Sequence, residues 1–335
     1  MADLKINFHM GGAKCLSTTI QKGMASSKSV TYLGFSPHQE PQKWYSDDMM
    51  RRLFDIDLRY TSRSSFIEWR DAYREHLMKL TSRAKNNQVW MSSENLSGRF
   101  TLEEIDVAEK LDRVCDVLPA GELNIHVLFR RVDTALFAMY REYVSRKLTQ
   151  DLKSFLDDLY LFRSTGLLDH VSPSKVYTNV KNSKVSSRDV RLHFYFPDEQ
   201  NLEFPNIGAI EELWSVKMPR SKLNSLKMNT LEFRRHNLDR YKGYAIYNLL
   251  ELHRFVLASG EQYQGDFWKE RRIRRDIINN SNFGVVGSFQ DSLLQVRKSK
   301  LYRWIRSEHE HFFGLANAQK VLVHGDVNSL FECNG

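Results

Sequence analysis

Residues 6–21 read Ile6-Asn7-Phe8-His9-Met10-Gly11-Gly12-Ala13-Lys14-Cys15-Leu16-Ser17-Thr18-Thr19-Ile20-Gln21. An apolar strand gives way to a small-residue turn, a lysine, and three consecutive hydroxyls that open a helix. The start of a helix exposes backbone N–H groups that have no intrahelical partner, and it carries the positive end of the helix dipole. A glycine-bearing turn ahead of it lets the main chain close around an anion. Lys14 adds a full charge, and Ser17, Thr18 and Thr19 add side-chain donors. The pattern predicts a phosphate cradle.

The ATP- and GTP-binding form of such a loop places Ser or Thr directly after the lysine, so that the hydroxyl can ligate magnesium. Here Cys15 and Leu16 follow Lys14. The stretch instead resembles the 5′-phosphosulfate loop of sulfotransferases that use 3′-phosphoadenosine-5′-phosphosulfate (PAPS). His9, Met10, Gly11, Lys14, Ser17, Thr18, Thr19, Ile20 and Gln21 fall on that pattern. It departs from it at Ala13, often proline in the family, and at Leu16, often glycine.

Two further segments bear on the resemblance. Residues 123–131 (L-N-I-H-V-L-F-R-R) follow Pro119-Ala120-Gly121, are rich in branched residues and predict a strand. An amphipathic helix with Leu136, Met139, Tyr140 and Val144 near one stripe comes next. Sulfotransferases carry an arginine at the end of such a strand, a serine eight residues on and a tyrosine ten residues on. Arg130 and Tyr140 match that spacing, and Ala138 stands where the serine would be. The resemblance implies that Arg130 holds the 3′-phosphate, a task suited to a planar two-pronged donor. Residues 88–94 (Q-V-W-M-S-S-E) read as a short buried strand with polar residues at its end. Family members place an acidic residue here beside the acceptor, which implies Glu94 as the base; a salt-bridging role is the alternative. His9 is the second candidate base, and it would equally serve to hold the loop by a hydrogen bond.

The chain has 335 residues, and Lys plus Arg exceeds Asp plus Glu by 49 − 41 = 8, giving a pI of about 9.2. A basic balance suits an acidic cofactor. No zinc-finger spacing, aromatic RNA-binding strand or basic tail points to nucleic acid. Cys15, Cys115 and Cys333 are scattered and form no disulfide or metal framework. The chain enters its first strand almost at once, leaving no room for a signal peptide, and no apolar run reaches the length of a membrane span. These features predict a cytoplasmic protein without a membrane span.

Outward from the opening stretch, strands are expected over 4–10, 30–35, 88–92 and 123–131. Helices are expected over 17–27, 64–83 and 133–148, and one more opens at a Thr101-x-x-Glu104 capping box. Trp69 and Tyr73 fall on a core stripe. This alternation predicts an α/β fold of three layers, a P-loop-like central parallel sheet flanked by helices, with a largely helical C-terminal half. The expected organisation is one sulfotransferase-like domain over 1–335. Within it, 1–148 is the nucleotide-binding core, 149–222 an acceptor-side insertion or lid with one strand near 190–196, and 223–335 a helical part. The basic run 269–275 is a solvated helix face or an anion guide. A Gly-x-x-Gly at 284–287 faintly echoes a nucleotide-covering element.

The resemblance implies transfer of a sulfuryl group from PAPS, leaving 3′,5′-ADP, to a hydroxyl or amine of a carbohydrate or small-metabolite acceptor. The cofactor contacts implied are Gly11, Gly12, Ala13, Lys14, Cys15, Leu16, Ser17, Thr18, Thr19, Arg130 and the Ala138 position. Lys14 and Glu94 or His9 would carry the chemistry, and no metal is expected. A P-loop nucleotide kinase or NTPase is the alternative enzyme, and a basic nucleic-acid- or glycan-binding protein is the alternative outside enzymes.

Overall fold

A computed structural model describes residues 4–11, 15, 17–35, 45–145, 151–197, 206–218, 289–316 and 321–331. Gly12, Ala13, Lys14 and Leu16 lie outside the described residues, as do the segments 223–258, 269–275 and 284–287. The chain packs as two units. One comprises Met1–Arg131, Arg163–Leu226 and Ile305–Gly335; the other comprises Val132–Phe162 and Lys227–Trp304.

Among the described residues, the first unit has six strands: β1 (Lys5–Gly11), β2 (Thr31–Tyr32), β3 (Gln88–Ser92), β4 (Glu122–Leu128), β5 (Val190–Tyr195) and β6 (Val321–His324). They lie in the order β2-β3-β1-β4-β5-β6, and every neighbouring pair is parallel. Its helices are α1 (Ser17–Ser26), α2 (Asp48–Arg52), α3 (Arg63–Thr81), α4 (Val107–Val117), α7 (Pro173–Asn182) and α8 (Ile207–Trp214). The second unit holds α5 (Val132–Ser145), α6 (Leu152–Leu161), α9 (Phe289–Lys298) and the first turn of α10 (Lys300–Ala316). The α/β class and the parallel sheet flanked by helices are as the alternation predicts. The sheet also takes in β5 and β6, which lie beyond residue 148.

Parallel strands present alternate residues to opposite faces. Along β1, Ile6, Phe8 and Met10 point to one face, where the Phe8 ring lies 6.2 Å from that of Phe54. On β5, Phe194 lies 6.1 Å from Phe312 of α10. The opposite face carries Asn7, His9, Trp90, Ser92, His126, His193 and Tyr195. His9 pairs with Ser92 on one side and His126 on the other, and His126 pairs with His193. This face is covered by Ile20 and Met24 of α1, Ile210 and Trp214 of α8, and Val216 and Met218 just beyond.

Several boundaries differ from expectation. β2 is only two residues long, and β4 stops at Leu128, short of the arginine pair. The capping box expected at Thr101 and Glu104 does not form. Asp106 caps α4 by accepting the Glu109 N–H at 2.8 Å, because the Glu104 carboxylate is buried against Lys110 and Arg59. The stretch 149–222, expected as an insertion or lid, contributes α7 as well as the expected strand, and the part expected to be helical contributes β6. Tyr73 is buried, as predicted. Trp69 is half-buried, with the Arg52 guanidinium 3.9 Å over its ring.

Candidate functional site

In an open parallel sheet, ligands gather outside the carboxyl ends of the strands, where successive connections depart to opposite sides. Here that point lies between β1 and β4: the chain leaves β1 toward β2 and leaves β4 toward β5. The loop bearing Lys14 and the Arg130-Arg131 pair both start there.

Gly11 ends β1, and a Cβ at this position would collide with the Ser17 hydroxyl. The first turn of α1 therefore folds back over the strand end, a close approach that only glycine allows. Ser17 and Thr19 are buried and Thr18 is exposed. Cys15 is buried, and its sulfur accepts the backbone N–H of Arg130. Its thiol also feels the Arg130 guanidinium and the Glu94 carboxylate, but burial dominates and pushes its pKa up to about 12. Cys15 thus stays protonated at neutral pH and acts as packing rather than as a nucleophile.

Glu94 opens a 3₁₀ turn (Glu94–Leu96) just past β3 and is half-buried. The turn is pinned from three sides. Ser93 donates its N–H to the His9 carbonyl at 3.1 Å. The Ser97 hydroxyl lies 2.7 Å from the Gly11 carbonyl and 2.9 Å from that of Glu94. The Lys110 ammonium, fully buried, donates to the carbonyls of Asn95 (2.7 Å) and Gly98 (2.9 Å) and to Glu104 Oε2 (2.5 Å). Burial lowers the Lys110 pKa, and the Glu104 carboxylate works against that. Sequence reasoning missed Lys110 and Ser97: a lysine inside a helix reads as solvent-facing, and no spacing signals that its head turns inward.

His9 is wholly buried. Its Nδ1 lies 2.8 Å from Ser92 Oγ, which also accepts from Gln21 Nε2 at 3.1 Å. Burial lowers the His9 pKa to about 3, so the ring is neutral near pH 7 and ties β1 to β3 and, through Ser92, to α1. Arg130 is half-buried beyond β4, where Phe129 donates its N–H to the Tyr195 carbonyl at 2.9 Å. Gly11, Cys15, Ser17, Glu94 and Arg130 thus gather at one end of the sheet. Ala138 belongs to α5 in the second unit.

Among the described residues, no group of three or more His, Cys, Asp or Glu could hold a metal ion, and no helix is long and apolar enough to cross a membrane. No family model matches the chain, and neither does any curated protein or solved structure.

Proposed function

We propose that the protein is a PAPS-dependent sulfotransferase acting on a hydroxyl or amine of a carbohydrate or small-metabolite acceptor, through a P-loop-like cradle after β1. The observation that carries this reading is the meeting of Cys15, Glu94 and Arg130 beside Gly11, at the ends of three adjacent strands. The bare Cα of Gly11 lets Ser17 and the first turn of α1 close directly onto the end of β1, which brings the amino end of the helix to this point. PAPS would supply an activated sulfuryl group, and reactions of this type depend mainly on positioning and charge stabilisation.

In this reading the backbone N–H groups of 12–18 and the hydroxyls of Ser17 and Thr18 hold the 5′-phosphate. Lys14 neutralises the departing oxygen, and Arg130 grips the 3′-phosphate. Glu94 takes the acceptor proton, held in place by the Lys110 and Ser97 contacts to its turn. His9 is the weaker candidate base, because a ring whose pKa lies near 3 has little affinity for a proton at pH 7.

Ligand-induced thermal stabilisation tests the proposal. Saturating 3′,5′-ADP is expected to raise the melting temperature more than ATP with magnesium or an oligonucleotide; a ligand at a hundredfold its Kd adds about 2.7 kcal/mol. Arg130→Ala should weaken 3′,5′-ADP by about 1.5–3 kcal/mol and leave 5′-AMP nearly unaffected. A larger response to ATP with magnesium would favour a kinase, and a larger response to the oligonucleotide a binding protein.

A further inference from the structure

In the second unit, α6, α9 and the first turn of α10 wall a cavity of about 460 Å³. That volume falls within the range of sites for small organic ligands. Among the described residues, four cations line it, Lys153, Lys298, Lys300 and Arg303, against one carboxylate, Asp157, a formal balance of 4 − 1 = +3. Asp157 is already engaged by Lys153 at 2.9 Å. Lys298, Lys300 and Arg303 have no carboxylate partner among the described residues.

Helix electrostatics separate these three residues. Lys298 lies in the last turn of α9, where a cation is favoured by the helix dipole. Lys300 and Arg303 lie in the first turn of α10, where cations are disfavoured, and that turn contains no acidic residue to offset them. Ser299 caps α10 by accepting the Tyr302 N–H at 3.1 Å, so a local cap explains the serine but not the two charges. Two cations set against a dipole and facing a cavity are accounted for by an anion that occupies it. Leu156 and Leu161 add apolar lining, and Leu161 is 68% exposed.

We infer that this cavity binds a compact organic polyanion, a sugar-sized body carrying two or more sulfate or phosphate ester groups. The charged groups meet Lys298, Lys300 and Arg303, and the carbon skeleton lies against the two leucines. The site is independent of the cradle after β1.

Calorimetric titration of the full chain at physiological salt tests this, with fructose 1,6-bisphosphate and a trisulfated disaccharide as probes. At least one is expected to bind, and K300A/R303A should weaken it tenfold or more while leaving the response to 3′,5′-ADP unchanged. Tighter binding of the bisphosphate identifies a phosphate ester as the ligand, and tighter binding of the disaccharide a sulfate ester. The unliganded double variant should also melt higher than the wild type, since two cations leave the amino end of α10. If neither probe binds below millimolar concentration, or the double variant binds as tightly as the wild type, the inference is overturned.

Discussion

On one face of the sheet lie the buried side chains of Ile6, Phe8, Met10, Ile125 and Phe194, all apolar, with Phe8 against Phe54 and Phe194 against Phe312. On the other face, His126 Nδ1 lies 2.9 Å from the Tyr195 hydroxyl, which also accepts from Trp214 Nε1 at 2.8 Å. The His126 ring stacks on His193 at 4.6 Å, and His193 Nδ1 lies 3.2 Å from His324 Nε2. Apolar contact is non-directional and tolerates small shifts. Hydrogen bonds and ring stacks hold their geometry only in one register. A one-residue slip of β4 would send His126 to the oily side. The polar face also carries Gly11 and lies under α1, so the directional contacts are concentrated beneath the candidate site.

Acid should separate the faces most strongly. Burial lowers the pKa values of His9 to about 3 and of His193 to about 4, and those of His126 and His324 in the same direction. The unfolded chain takes up protons near pH 6.5 while the folded rings resist, so stability is full above that pH and falls as the pH drops below it. At about 1.4 kcal/mol per pH unit, His9 alone removes about 3 kcal/mol by pH 4.5, and His126, shifted in the same direction by burial, adds to it. His193 and His324, half-exposed, add less because water screens them. Urea midpoints measured from pH 8 to 4.5 should show this slope, and His126→Gln should flatten it. A flat wild-type profile would show that the rings do not resist protonation.

Phe194→Ala, on the apolar face, should cost about 4 kcal/mol through lost burial and the cavity left behind. The loss should be the same at pH 8 and pH 6, since the rings that pack on Phe194, those of Phe129, Phe196 and Phe312, do not titrate. A pH-dependent loss would mean that the two faces are coupled through the sheet.

Tyr195→Phe should have the smallest effect, about 1–3 kcal/mol. It keeps the ring and removes one oxygen, leaving Trp214 Nε1 and His126 Nδ1 without their partner. Near-zero cost in a denaturation experiment would mean that those two groups find other partners.

Much of this asymmetry was present in the sequence. β1 (I-N-F-H-M), β4 (L-N-I-H-V) and β5 (L-H-F-Y) share one alternation, apolar residues on one side and Asn, His or Tyr on the other. Strands buried on both faces ordinarily read as continuous apolar runs, so that departure was the available signal for a polar layer. β1, the start of α1 and β3 were legible because a glycine and hydroxyls, or a dense apolar run, mark them locally. The cap of α4 was misplaced because Thr101 and Glu104 have the right spacing, while burial commits Glu104 to Lys110 and Arg59. β6 was missed because four residues at a sheet edge carry too little pattern to stand out.

The discontinuity of the first unit has a consequence for its biosynthesis. β6 must pair with β5, yet more than 120 residues separate them in the chain, and the whole second stretch of the other unit is made in between. A ribosome delivers β1 to β5 well before residue 321. Until then the nascent sheet presents β5 as an open edge, with Leu192, Phe194 and Tyr195 unpaired on that side. Open edges of this kind recruit other strands. Stalled or truncated chains ending before β6 are therefore expected to be the sticky species, and a holding chaperone should be needed during that interval rather than after release.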